Sequence, residues 1–355
     1  MSEMEYRYLG RTGVRVSPLC LGTMTYGSRT EPEGAYRIVD RALDAGVNFI
    51  DTANVYVNGR SEEVVGEALK RNGHRDWIVL ATKCHGNMHK DPGEGGDATQ
   101  RLRARLNPNR WGNARRQIIE QCNASLKRLQ TDHIDLYQIH RPHPEAAIDE
   151  TLRALDDLVR QGKVLYIGCS TFAAWQVVES LWASERYGLN RFVTEQPPYH
   201  LLDRRIEREL IPMAQTYGFG LIPWSPLAGG FLSGKYRRGG DGPADARFTM
   251  RRQQGGSVAL LESDTAFDIV EGLHRIADRK GCTLSQLALA WCMNQPGITS
   301  PIIGPRTMEQ LEDNIGAVDV ELTDEDREQI DALCPPGGVT VPFYQASFGP
   351  HPHRF

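Results

Sequence analysis

Eight times along its 355 residues the chain repeats one pattern: a short apolar run, then an amphipathic stretch. The runs occupy 17–24, 47–53, 77–83, 134–140, 164–170, 192–198, 219–227 and 300–304. Their apolar cores are short and often β-branched, which predicts strands buried on both faces. Between them, apolar residues spaced i, i+3, i+4 predict helices at 33–45, 61–71, 114–129, 146–161, 173–186, 204–217 and 265–280. Ser61 and Thr265 stand where N-caps belong, and Gly46 and Gly162 where helices should end. Strands alternating with helices imply a parallel sheet. An open doubly wound sheet usually carries G-x-G-x-x-G after an early strand; here the first strand ends in Leu21-Gly22-Thr23-Met24. Eight units favour a closed (β/α)8 TIM barrel over about 17–333.

Three features lie outside the eight units. Residues 5–16 alternate around Arg11-Thr12-Gly13 and read as an N-terminal β-hairpin that could plug one barrel end. Residues 283–294 form an extra apolar helix before the last strand. Two long loops, 84–113 and 228–264, are expected on the C-terminal rim, where loops of that length act as lids or binding loops. The tail, 335–355, is rich in Pro, Gly and aromatics and has little helical pattern. At about 150 residues per domain the length suggests two or three domains. A barrel runs to about 250 residues or more as one domain, so a single domain over 1–355 is expected.

Composition narrows the function classes. Apolar residues make up 40% and charged residues 24%, enough to bury a large core. The net charge of −4 gives no global pull toward nucleic acid or an anionic membrane. No apolar run approaches the roughly 20 residues of a membrane span. The opening MSEMEYRYLGRTG has no apolar signal core, and the seven Cys are scattered with no Cys-x-x-Cys pair. Both point to the cytoplasm and reduced thiols.

In a barrel the functional residues sit at the C-terminal ends of the strands. Those positions hold Asp51 and Tyr56 after the second strand, Lys83 ending the third and His140 ending the fourth. A tyrosine alone is a poor acid at neutral pH, but a nearby ammonium favours its phenolate form. A carboxylate would keep the Lys charged and in place, and a neutral His could orient a carbonyl. Together they could protonate a developing alkoxide, as carbonyl reduction by hydride requires. A lone strand-end Asp or Tyr is more often a cap or packing residue; four matched types on three successive strand ends are harder to read as packing.

These residues carry a family resemblance. The chain resembles the aldo-keto reductase superfamily across nearly its whole length, including the branch related to potassium-channel β-subunits. LGRTGVRVSPLCLGTM is similar to that family's N-terminal hairpin and first strand. NFIDTANVY, ATK and DHIDLYQIHRP match the segments that bear its catalytic Asp, Tyr, Lys and His, here Asp51, Tyr56, Lys83 and His140. The resemblance implies NADPH as cofactor, with NADH the alternative, and a small-molecule carbonyl substrate. It implies Ser170 and Thr171 (IGCSTF) and Gln196 (EQPPY) beside the nicotinamide amide. It places Trp224 on the nicotinamide ring, with Ser225, Leu227 and Gly229 along the pyrophosphate and Lys235 and Arg247 as clamps. Thr23 and Met24 belong to the same cofactor set. IIGPRTMEQLEDNIGA resembles the adenosine-phosphate segment and implies Gly304, Arg306, Gln310, Asp313 and Asn314. Some branches have a Lys where this chain has Gly304; Arg306 can take its place, because a guanidinium pairs with phosphate bidentately. By location, Tyr26, Cys84, Trp111 and His143 are candidates for the substrate pocket. The channel β-subunit branch is resembled in IPWSPLAGGFLSGKY, but it lacks the active-site His that is present here. A cofactor-sensing partner subunit is therefore the second reading. A dehydrogenase working in the reverse direction, with the same residues, is the third.

Several patterns are decoys. GGFLSGK (229–235) fits G-x-x-x-x-G-K, yet Tyr236 replaces the Ser or Thr that would hold Mg²⁺. His140 and His143 flank Arg141-Pro142, a poor arrangement for paired metal ligands, so no metal is expected. The six Arg of 101–116 read as a solvated face, or as a grip on an anionic substrate or an acidic neighbour subunit. Oligomeric state is not legible.

Overall fold

The structure, a computed structural model, describes residues 4–88, 109, 111–240 and 242–342. In chain order the elements begin with the hairpin strands β1 (Arg7–Tyr8) and β2 (Arg15–Val16) and the strand β3 (Cys20–Gly22). Helices and strands then alternate: α1 (Pro32–Asp44), β4 (Phe49–Asp51), α2 (Arg60–Asn72), β5 (Val79–Cys84), α3 (Arg115–Leu129) and β6 (Ile134–Ile139). They continue through α4 (Ile148–Arg160), β7 (Val164–Ser170), α5 (Ala174–Tyr187), β8 (Phe192–Gln196), α6 (Leu210–Tyr217) and β9 (Gly220–Leu221). Helices α7 (Arg247–Gln253), α8 (Asp264–Lys280) and α9 (Leu284–Met293) precede β10 (Ile302–Ile303), and α10 (Met308–Ile315) and α11 (Asp324–Leu333) follow it.

Residues 21–44 and 48–195 form one compact unit, and residues 4–20, 45–47 and 196–342 another. In the first of these the strands run parallel in sequence order, with Leu21 opposite Ile50, Asp51 opposite Ala81, Lys83 opposite Gln138, and Gln138 opposite Gly168. Leu21, Ile50, Leu80, Leu136 and Ile167 are at most 1% exposed. Each large apolar side chain so buried contributes about 1.5–3 kcal/mol relative to exposure. Gly168 is a packing requirement: a Cβ there would lie 2.3 Å from Oγ1 of Thr194 and 3.2 Å from Cγ of Gln138.

In the other unit, Cys20 of β3 donates its N–H to the Pro301 carbonyl at 3.0 Å, just before β10. Ile302 of β10 donates to the Pro223 carbonyl at 2.8 Å, just after β9. Trp224, past β9, bridges Pro198, past β8. The strand order is β10-β3-β4-β5-β6-β7-β8-β9, and the Ile302–Pro223 bond returns from its last strand to its first. This is the parallel (β/α)8 TIM-barrel fold. The hairpin is antiparallel, with Tyr8 opposite Arg15. Its Gly10 lies against β9, where a Cβ on Gly220 would come within 2.8 Å of the Gly10 nitrogen.

Local differences from the sequence reading have physical causes. Helix α2 starts at Arg60 behind Gly59, so Ser61 is not its cap; the Ser61 hydroxyl instead bonds Thr23 and Thr52 in the interior. Ser263, not Thr265, caps α8, accepting the Ala266 N–H at 3.1 Å. The span 204–217 breaks into a 3₁₀ turn, Arg205–Glu207, and α6. The loop 228–264 is far from structureless. It holds 3₁₀ turns at Ala228–Ser233 and Ala259–Glu262 as well as α7. Stacking of Tyr236 between Phe231 and Phe248 pins it, with ring centroids 6.1 and 5.2 Å apart. Most of the loop 84–113, part of the Arg-rich run and the tail beyond 342 lie outside the described residues.

Candidate active site

The parallel register brings the ends of β4, β5 and β6 level. Beyond the strands the ladder continues: Thr52 donates to Ala81, Asn54 to Lys83 and His140 to Cys84, at 2.9, 3.1 and 2.9 Å. Asp51, Lys83 and His140 therefore share one rim. Tyr56 reaches it by a tight turn in which Val57 and Asn58 take positive φ of 48° and 53°. Left-handed backbone is rare for any residue with a Cβ and more so for a β-branched one. Such strain persists only where the surroundings over-determine it, and it concentrates at functional sites.

Lys83 is the hub. Its Nζ donates to Oδ2 of Asp51 at 2.5 Å, to the Thr52 carbonyl at 2.9 Å and to the Tyr56 hydroxyl at 3.3 Å. The three donors of the ammonium are all used. Lys83 and Asp51 are 0% and 2% exposed. Burial alone would lower the lysine's proton affinity, but the Asp51 carboxylate and Tyr56 outweigh it and the net shift is upward. Lys83 is thus held as a cation. The Tyr56 and His140 rings meet edge to face, centroids 5.8 Å apart. Burial, then the charges of Lys83 and Arg141, depress His140 well below the usual histidine range. It is a neutral imidazole. A cation fixed against a phenol, with a neutral hydrogen-bonding ring across from it, is suited to proton transfer at a polarised oxygen.

The family model for the aldo/keto reductase family matches residues 18–334. The chain belongs to the aldo/keto reductase family. Among its relatives is an uncharacterized oxidoreductase, YrpG, of Bacillus subtilis, 40% identical over 347 residues, which cover 96% of this chain and 99% of the relative. A probable voltage-gated potassium channel subunit beta of Oryza sativa subsp. japonica is 38% identical over 93% of this chain and 96% of its own. Versiconal hemiacetal acetate reductase of Aspergillus parasiticus is 35% identical over 95% and 98%. Aldo/keto reductases generally use NADP(H) or NAD(H), and this chain is an oxidoreductase of that family.

In this aldo/keto reductase, strand-end reading passes over further polar residues that contact the candidate residues. Gln138, two residues before His140 and so on the same face of β6, donates to the second carboxylate oxygen of Asp51 at 3.2 Å. Alternation along the strand is the signal that could have found it. His85 and Asn113 are a second case. His85 Nδ1 bonds Oδ1 of Asn113 at 2.8 Å, and the Asn113 N–H donates to Nδ1 of His143 at 3.1 Å. Trp111, 49% exposed, lies 4.8 Å from the His143 ring and 5.7 Å from that of His85. Gly112 allows this: with φ +91° it sits so close that a Cβ would be 2.5 Å from Cε1 of His143. Cys84 faces the interior instead, where burial pushes its thiol up to about 12. Tyr26 is also fully buried, and its phenol is shifted upward by that burial.

The residues that the resemblance implies for the cofactor occur in both units. In the unit that holds the tetrad of Asp51, Tyr56, Lys83 and His140, Ser170 and Thr171 are buried at the end of β7. Thr23 is buried too, its hydroxyl bonding the Asp51 carbonyl and Ser61, while Met24 is exposed. In the other unit, Gln196 is buried and Trp224 partly exposed. There, Ser225, Ala228, Gly229 and Gly230 all take positive φ, and Leu227 lies inside this run. A Cβ on Gly230 would fall 2.6 Å from Nζ of Lys235, so the ammonium is set against bare backbone. Arg247 opens α7. Arg306 pairs with Asp245 at 2.8 Å, and its N–H donates to Gln310 at 2.8 Å. Asp313 accepts from Thr283, and Asn314 is buried. Gly304 is exposed, with nothing within 4 Å of where a Cβ would be.

Proposed function

We propose that this aldo/keto reductase reduces an aldehyde or ketone to an alcohol, with NADPH as the preferred cofactor and Tyr56 as the proton donor. The observation that carries the reading is the placement of Lys83 Nζ against both Asp51 and Tyr56. The cofactor supplies the hydride. Tyr56 gives its phenolic proton to the carbonyl oxygen as negative charge develops there. The Lys83 cation stabilises the phenolate left behind, and Asp51, steadied by Gln138, holds that cation in place. His140, neutral, donates a hydrogen bond to the same oxygen and orients it.

The residues present fit a dinucleotide. The turn at 225–230, left-handed at Ser225, Ala228, Gly229 and Gly230, is with Lys235, Arg247 and Arg306 a donor set for anionic phosphates. The flat, partly exposed Trp224 is a stacking surface. Ser170, Thr171 and Gln196 are assigned to the carboxamide, and Arg306, with Gln310, Asp313 and Asn314, to the adenosine end. Trp111 and His143, with His85, are assigned to the substrate wall. One single barrel domain, cytoplasmic, acting on a small carbonyl compound is the whole of the proposal, and the reverse reaction uses the same residues.

The likeness to channel β-subunits favours one alternative, a cofactor-sensing partner subunit. His140 weighs against it. Following NADPH and NADH oxidation with a panel of aldehydes and ketones separates the two. Turnover supports the reductase, and tight cofactor binding with no turnover supports the alternative.

A further inference from the structure

Glu195, on β8, is fully buried, and the chemistry proposed above does not use it. Its Oε1 accepts the Phe172 N–H at 3.0 Å, and the Thr171 N–H hydrogen-bonds to the same carboxyl. Among the described residues its Oε2 has no hydrogen-bond partner. Burial drives this carboxyl well above the usual range, and the two N–H groups and the Arg141 charge offset that only in part. Burial of this kind disfavours the charged form of the carboxyl.

What it touches is a strained turn. Thr171 has φ +59°, left-handed backbone carrying a β-branched side chain. Its hydroxyl donates to the Ser170 carbonyl at 2.7 Å and lies 3.4 Å from Nη1 of Arg141. The same Nη1 donates to the carbonyl of His140 at 2.7 Å. A continuous series of polar contacts thus runs from Glu195 through the Thr171–Phe172 turn and Arg141 to the backbone of the rim histidine.

We propose that Glu195 is a positioning residue that holds the left-handed Thr171–Phe172 turn and, through Thr171 and Arg141, seats His140. The role of His140 rests on the reductase reading; the mechanical linkage does not. A carboxyl that only filled space would be replaceable by any side chain of its size, and its loss would not be felt at His140.

The test compares wild type with Glu195→Gln, Glu195→Ala, Arg141→Met and the double variant Glu195→Ala/Arg141→Met. Hydrogen exchange without cofactor is read for peptides covering 139–142 and 170–173, alongside kcat and KM for an aldehyde at saturating NADPH. Glu195→Ala should exchange faster in both segments and lose about tenfold or more in kcat, with a smaller change in KM. Glu195→Gln, which keeps an acceptor oxygen, should stay within roughly threefold of wild type. Arg141→Met tests the linkage should Glu195→Ala not fold. It should speed exchange at 139–142 alone, and the double variant should lose less than the product of the two single losses. Wild-type exchange at 139–142 in either Glu195→Ala or Arg141→Met overturns the linkage, as does damage in Glu195→Gln equal to that in Glu195→Ala. A wild type that turns over no carbonyl, together with coupled exchange in the two segments, would sink the reductase reading and leave the linkage standing.

Discussion

The ammonium of Lys83 stands 3.3 Å from the hydroxyl of Tyr56 and 2.5 Å from the carboxylate of Asp51. The pair with Asp51 is buried at both ends, so its two charges depend on each other. Removing one charge of a buried pair typically costs about 3–5 kcal/mol, because the other is left uncompensated. Asp51→Asn keeps the shape and removes the charge. It is expected to lose stability of roughly that size, about 3–5 kcal/mol, in urea unfolding. It should lose kcat as well, since Lys83 is no longer held as a cation beside Tyr56. Unchanged unfolding with unchanged kcat would mean that the ion pair supports neither.

Acid should weaken the fold through a histidine far along the chain from the tetrad. His200 is fully buried and its Nδ1 accepts the Leu202 N–H at 3.2 Å. Burial lowers its pKa to about 4, with Asp203 opposing, against about 6.5 for an unfolded histidine. The lowered value means the unfolded chain binds a proton that the folded chain refuses. The contribution of His200 is complete above about pH 6.5 and is lost as pH drops toward 4, by about 3 kcal/mol in all. His140, shifted in the same direction, adds to the loss. Urea midpoints at neutral pH and near pH 4.5 check this. His200→Gln should flatten the dependence, and an equal slope in that variant would remove His200 from the account.

Close helix contact makes one glycine irreplaceable and leaves another free. A Cβ on Gly66 of α2 would lie 2.6 Å from the carbonyl carbon and oxygen of Leu129 and 2.7 Å from the Arg128 oxygen. Those are backbone atoms at the end of α3 and cannot swing aside. Gly66→Ala should cost about 1–3 kcal/mol by overpacking. Gly34 in α1 has ordinary space, with its nearest contact at 3.9 Å. There alanine should gain about 0.4–1 kcal/mol through the unfolded state. Thermal melts of the two variants should move in opposite directions.

The β/α alternation and the four rim residues were legible because each rests on local pattern. Apolar runs mark strands, and strand ends mark the rim. What lay hidden depends on contacts between distant segments. Ser61 looks like a cap until Thr23 and Thr52 claim its hydroxyl. Cys84 is next to a pocket in sequence, but its side chain packs into the interior, and His85 stands beside Trp111 and His143. The loop after β9 reads as glycine-rich and shapeless because the stack of Phe231, Tyr236 and Phe248 joins residues that show no period. Glu195 reads as one more strand residue until the Phe172 N–H is seen to end on it.

The central claim is that Tyr56 delivers the proton, and one measurement addresses it most directly. Tyr56→Phe removes a single oxygen and leaves the ring against His140. NADPH affinity by fluorescence titration and kcat with a simple aldehyde are measured on the same preparation. The account predicts unchanged NADPH affinity and a kcat lower by about 10²–10⁴-fold, the usual contribution of a positioned acid. A variant that binds NADPH normally and turns over at close to the wild-type rate would contradict it.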